Sequence, residues 1–304
     1  MIKEYGIING KLIPSSAGEG NVIIYIDPDE RGKKELVDRY GIDEHTLSSA
    51  LDPDELARIE FEPEHYAIIL KRPKNYSGAE QFLFLVSSFG MFWYRDKLII
   101  VISEDIDFFG NKIFNRVTSL EDVVIKIMYA TIYHYLGHLK VINMISDSLE
   151  QKINTSMQNE FLINLFSLEK SLVYYLNAIN SNGALINRMK QNDRKINFSP
   201  EGLELIDDIR IENEQCYKQA EIYSNILAGL MDARVSIVSN NLNILMKKLN
   251  IFTIAIMVPT FVVSAFSMNV RIPLSSHAEA FYIILGLALL SVVGFFLFWR
   301  YKKW

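Results

Sequence analysis

Between Asn243 and Ser267, alternate steps of three and four residues pick out Asn243, Met246, Asn250, Thr253, Met257, Thr260, Ser264 and Ser267, while the residues between are mostly Ile, Phe, Val and Ala. That spacing puts one polar face on a helix. Its neutral amide and hydroxyl oxygens are suited to meeting water or a hydrated cation. From Ile251 to Met268 there is no charged residue, and at about 1.5 Å per residue the run reaches about 27 Å, close to the hydrocarbon thickness of a bilayer. The repeat of about 3.5 residues keeps the face on a common axis if several copies pack in parallel, so the stretch reads as a pore. A stripe of small residues that lets membrane helices pack closely is the alternative. Asn243, Asn250 and, further up the same line, Asp232 weigh against it, because amides and carboxylates in a dry seam are expensive. The line continues through Ser239, Ser236, Gly229 and Asn225.

The elements that must hold this stripe can be read outward from it. Pro259 lies in mid-span, where neighbouring helices must satisfy the carbonyl it frees. Upstream, Ser199-Pro200-Glu201 supplies an N-cap, a proline at the first helical position and an acid in the first turn. With no further proline before Pro259, one helix runs from there to about Ser267, roughly 100 Å. No globular domain contains a helix of that length, so it is a stalk entering a membrane. A second uncharged segment, Phe281–Trp299, follows after about a dozen residues. Lys247 and Lys248 precede the first span and Arg300, Lys302 and Lys303 follow the second, which puts both termini in the cytoplasm. Tyr282, Trp299, Tyr301 and Trp304 sit at headgroup level.

Before the stalk, strand-like runs at Val22–Ile26, Tyr66–Lys71, Gln81–Ser87, Gly90–Tyr94 and Leu98–Ile102 flank helical spacing over 32–51, an α/β pattern. Thr118-Ser119-Leu120-Glu121 has capping-box spacing and opens a helix running to near Ser156. A second runs from about Gln158 to Lys190, and Asn192-Asp193-Arg194-Lys195 makes a polar connection. The expected organisation is therefore a cytosolic α/β domain over 1–117, a helical hairpin over 118–198, the stalk over 199–250, a pore-lining span over 251–269, an outer loop over 270–280, a second span over 281–299 and a basic tail over 300–304. In fold class this is an α+β membrane protein.

The net charge of −5 is uneven: from Lys247 onward there are six basic residues and one acidic, leaving 25 basic against 35 acidic before it. An acidic cytosolic body argues against nucleic acid as a partner and is compatible with collecting cations. Cys216 is the only cysteine, which excludes an internal disulfide and fits a reducing compartment. MIKEYGIINGKLIPSS lacks an apolar core of signal-peptide length. Gly18-Glu19-Gly20 has no P-loop lysine, so no nucleotide or other organic cofactor is expected, and no catalytic constellation points to an enzyme. His134 and His138 are four apart but lack the intervening glutamate of a zinc hydrolase. Asp207, Asp208 and Asp232 are better placed for cations, because carboxylate oxygens suit hard divalent ions.

Ser267-Met268-Asn269 resembles the Gly-Met-Asn signature of the CorA family of divalent-cation channels. Upstream, LMDARVSIVSNNLNILMKKLNIFTI is similar to that family's stalk-to-membrane segment, and IDEHTLSSALDPDELARIEFEPEHYAIILKRP to its soluble domain. The resemblance covers essentially the whole chain. It implies a homopentamer in the plasma membrane, in contact with lipid, through which Mg²⁺, and with it Co²⁺ and Ni²⁺, enters passively. It further implies Asn269 at the outer mouth with Met268 and Ser267. Met246, Leu249 and Met257 become apolar constrictions, Asn243 a cytosolic polar ring, and Thr253 and Thr260 part of the conduit. Asp208 and Asp232 take the place of acids that bind cytosolic Mg²⁺ between subunits and hold the closed state. Two departures stand out: Ser267 replaces the signature glycine, and the outer loop VRIPLSSHAEA carries one acid, Glu279, beside Arg271. A zinc transporter of the same superfamily and a non-conducting, membrane-anchored cation sensor are the competing readings.

Overall fold

The computed structural model describes residues 1–16, 18–76, 82–153, 160–268 and 279–302, with only the backbone of 151–153, 160 and 161. The chain divides into two compact units, Met1–Met231 and Asp232–Trp304.

The first unit is built on a seven-stranded sheet of β1 (Ile2–Ile8), β2 (Lys11–Pro14), β3 (Val22–Ile26), β4 (Arg58–Phe61), β5 (His65–Pro73), β6 (Val86–Tyr94) and β7 (Leu98–Ile102), in the spatial order β2-β1-β3-β7-β6-β5-β4. Only β3 and β7 pair in parallel, Val22 opposite Leu98 through Ile26 opposite Ile102. All five residues of each are buried, as central strands covered on both faces require. One face is covered by α1 (Glu30–Tyr40) and α2 (Glu44–Leu51), through Leu36, Leu47 and Ala50 against Ile23, Tyr25 and Val101. The other face packs on α3 (Leu120–Ile153) and α4 (Glu160–Gln191), and the first half of α6 (Pro200–Phe266) joins the same apolar cluster, bonded to α3 and α4. The expected boundary at 117/118 thus separates the sheet with α1 and α2 from the long helices but not two cores, since one apolar cluster runs from Ile24 and Ile100 through Leu139 and Leu172 to Cys216 and Leu227.

Four readings of the sequence are corrected here. The runs Gln81–Ser87 and Gly90–Tyr94 are not two strands; a single strand spans Val86–Tyr94, and Gln81 lies outside the described residues. Phe84, expected in a strand, is instead buried with its amide donating to Ser171 Oγ of α4 at 2.9 Å. The connection at Asn192–Lys195 contains a short helix, α5 (Asp193–Ile196), closed by Asn197 in the left-handed region. The cap of α3 is Ser119, which accepts from Asp122 N at 3.1 Å while Asp122 accepts from Thr118 N at 3.1 Å. Glu121, expected to close that box, points elsewhere.

One buried side chain ties the helices to the sheet. Past the end of β4, β5 has lost its neighbour, and Asn182 of α4 takes the strand's place. Its Oδ1 accepts from Lys71 N at 3.0 Å and its Nδ2 donates to Lys71 O at 2.8 Å. Asn182→Ala strands both backbone groups in the interior, which costs about 2–4 kcal/mol. The melting temperature of the detergent-solubilised protein should fall by about 5–10 °C, and Asn182→Asp should not restore it, because a carboxylate cannot donate to Lys71 O. A variant melting with the wild type would show that water replaces the amide.

Candidate functional site

In the second unit the helix α6 carries the polar face seen in the sequence. Asn243, Met246, Leu249, Asn250, Thr253, Met257, Thr260, Ser264 and Ser267 are all exposed in the single chain. So are the apolar residues around them: Phe252 is 66% and Phe261 75% exposed. No residue in the apolar window of α6 is buried, and only 6% of that in α7 (Ala280–Lys302) is. A helix this apolar and this uncovered is not the core of a soluble domain. By length and composition both helices can cross a membrane. The hydroxyls on the face are turned back into the helix: Thr253 Oγ1 donates to Leu249 O at 2.9 Å and Thr260 Oγ1 to Ile256 O at 2.6 Å.

The end of α6 falls one residue short of the expected end at about Ser267. It ends at Phe266, and Ser267 closes it with a tighter turn, its amide donating to Ser264 O at 3.2 Å and its hydroxyl to the same oxygen at 3.0 Å. Ser267 does not adopt positive φ, so its backbone does not require the signature glycine. Ser267→Gly removes one capping hydroxyl and loosens this turn. Ion uptake is expected to change by a factor of about 2–5, with the Mg²⁺-to-Co²⁺ ratio moving more than the melting temperature, since a lost cap costs about 1 kcal/mol. Parallel uptake of the two ions by both proteins decides it; identical ratios would remove position 267 from selection. Asn269 and the outer loop from 270 to 278 lie outside the described residues.

The three candidate acids fall into two classes. Asp207 is committed within its own chain: Lys190 Nζ of α4 donates to Oδ1, and Arg210 Nε stands 3.7 Å from the same atom. The Lys190 bond holds its carboxyl below the usual carboxylate range. Asp208 is exposed and, among the described residues, has no ion pair. Its alternating three- and four-residue spacing from Ile211, Ile222 and Asn225, all exposed, sets it on the face opposite the buried Ile206, Ile209, Cys216 and Ala220. Asp232, in the second unit, is likewise exposed and lacks an ion pair among the described residues. The i, i+3 spacing signals the Arg210 contact in advance; nothing local signals Lys190, which crosses from the helical hairpin.

His134 and His138 do lie together on α3, with ring centroids 4.4 Å apart. His138 Nδ1, however, is 2.6 Å from Tyr175 OH, and burial, with His134 adding to it, pushes its imidazole down to about 4. Burial, reinforced by Arg72, also lowers His134. No group of three or more His, Cys, Asp or Glu able to hold a metal occurs among the described residues. The pair is half-buried, with His138 packed against Phe84 and Tyr175.

The architecture is shared with solved proteins. The complete CorA magnesium transporter from Methanocaldococcus jannaschii superposes with a TM-score of 0.82 at 21% identity, covering 98% of this chain and 96% of its own. The full-length CmaX protein gives 0.74 at 12% identity, with 100% and 97% covered. The cytoplasmic domain of ZntB from Vibrio parahaemolyticus gives 0.60 at 9% identity, with 78% and 98% covered. At the sequence level, the cobalt/magnesium transport protein CorA of Methanocaldococcus jannaschii is 22% identical over 289 residues, 91% of this chain and 89% of that protein. The family model described as CorA-like Mg²⁺ transporter protein matches residues 22–303, which takes in strands β3 to β7, the helical hairpin and both apolar helices. On that match the chain belongs to the CorA-like Mg²⁺ transporter family.

Proposed function

We propose that five copies of the chain surround a pore in the plasma membrane and pass Mg²⁺, with Co²⁺ and Ni²⁺ as accepted substitutes, down its gradient into the cell. An exposed polar face on the apolar, uncharged stretch of α6 from Ile251 to Phe266 carries this reading. Lipid offers no hydrogen-bond donor to the hydroxyl oxygens of Thr253, Thr260 and Ser264, and one helix cannot enclose water, whereas parallel copies of α6 turn the face, which runs back through Asn250 and Asn243 into the stalk, into a wetted axis. Asn269 forms the outer ring, where neutral amides select the water shell of an ion that dehydrates reluctantly. Met246, Leu249 and Met257 are constrictions that close by dewetting. Asn243, Asn250, Thr253, Thr260 and Ser264 line the path between. α7 lies on the lipid side, and both termini are cytoplasmic, as the basic residues Lys247, Lys248, Arg300 and Lys302 favour.

Cytosolic Mg²⁺ bridging Asp208 and Asp232 between subunits holds the closed state and gives feedback inhibition. The two exposed acids support this role better than Asp207, which its own chain already neutralises. Uptake of Mg²⁺, Co²⁺ and Zn²⁺ by the purified protein in liposomes, with and without a proton gradient, tests the reading. Mg²⁺ uptake without the gradient is expected. Zn²⁺ uptake that needs the gradient would favour the zinc branch, and no uptake of any ion would favour a membrane-anchored sensor.

A further inference from the structure

The upstream end of α6 is held by a side chain of another helix. Ser199 caps it in the usual way, its Oγ accepting from Gly202 N at 3.0 Å. The hydroxyl donates in turn to Glu121 Oε1 at 2.7 Å, and Ser199 N donates to the two oxygens of the same carboxylate at 3.1 and 3.3 Å. Glu121 sits in the first turn of α3, 78 residues earlier, and α3 has no use for it, because Ser119 and Asp122 already close that helix. Gly202 completes the seat: a Cβ there would stand 1.8 Å from Glu121 Oε1 and 3.0 Å from its Cδ. The first turn of α6 is therefore shaped around a carboxylate from α3, and any side chain at 202 displaces it.

Lys190 on Asp207 and Asn213 Nδ2 on Ile179 O, at 3.0 Å, tie this half of α6 to α4 further along, while the apolar packing through Ile206, Ile209 and Cys216 is non-directional and tolerates sliding along the axis. Directional hydrogen bonds at the cap do not. We propose that Glu121 is a positioning residue for ion conduction: it fixes the axial register of the pore helix at its base and so the place at which Asp208, about two turns further on, meets its cation. This rests on the reading of α6 as the pore helix and of Asp208 as a regulatory ligand. Without the latch the acid is less well placed, and more Mg²⁺ is needed to close the pore.

The test uses the full-length protein in nanodiscs and liposomes. Glu121→Ala and Gly202→Ala break the latch from opposite sides. Each is expected to raise amide exchange at Ser199 by about tenfold, the scale of a lost cap. Each should also raise the Mg²⁺ concentration that half-inhibits uptake by about threefold or more. Because both act on one contact, the double variant should be no worse than the larger single, as a double-mutant cycle requires. Glu121→Gln, which keeps an acceptor oxygen, should fall between. Raised exchange with an unmoved half-inhibiting Mg²⁺ overturns the positioning role and leaves a structural cap; additive effects or unchanged exchange overturn the latch itself. A wild-type protein that takes up no divalent ion overturns the pore reading and this role with it, a result told apart because exchange is read without flux.

Discussion

Asn269→Ala is expected to bring divalent-cation uptake down to that of protein-free liposomes while leaving expression and oligomer size unchanged. On the proposed assignment of Asn269 to the mouth, the substitution takes away the amide oxygens that would face the ion's water shell. Mg²⁺ holds its first shell tightly, so a mouth without matching acceptors offers nothing for the water it displaces. Radiotracer or fluorescence uptake beside size-exclusion chromatography checks both halves. Uptake at the wild-type rate would sink the assignment of Asn269 to the mouth, and loss of the oligomer would move the residue from conduction to assembly.

Removing both exposed acids should have the second large effect. In wild type, high Mg²⁺ is expected to protect α6 from limited proteolysis, because the cation bridges carboxylates that otherwise repel across subunits. Asp208→Ala combined with Asp232→Ala should abolish the difference between low and high Mg²⁺. It should also raise the half-inhibiting concentration about tenfold for every ~1.4 kcal/mol of bridging lost. Digestion patterns in the two conditions, read beside uptake, give the answer. Protection that survives in the double variant would make these aspartates ordinary solvated surface.

How much of this was legible in advance depended on whether the signal was local. The stalk start was, because Ser199-Pro200 is a cap and a first-turn proline side by side, and the helix does begin at Pro200. The exposed polar face of α6 was legible as well, since its period is written in consecutive residues. Strands β1 and β2 were missed although Asn9-Gly10, both at positive φ, form the tight turn that joins them. That hairpin lies inside a stretch weighed only as a targeting signal. β4 was missed because Arg-Ile-Glu-Phe is short and half polar, and only its pairing with Arg58 opposite Ile69 makes it a strand. Contacts across long separations had no local trace. Asn182 on Lys71, Lys190 on Asp207 and Glu121 on Ser199 each join residues far apart in sequence, and Glu121 had been read as closing a box within its own helix.

The internal bonds of Thr253, Thr260 and Ser267 have a consequence for charge discrimination. Each hydroxyl spends its one proton on a carbonyl of its own helix, so what remains toward the axis is lone pairs alone. Water around a cation turns its oxygens inward and its hydrogens outward; water around an anion presents the reverse. At these three levels the wall of the proposed pore can only accept hydrogen bonds and is therefore wetted favourably by the first of these shells and poorly by the second, whereas the amides of Asn243 and Asn250 can also donate. Such a lining would reject chloride or phosphate in their hydrated form without a single formal charge on the wall, and without binding the metal tightly enough to slow its exit.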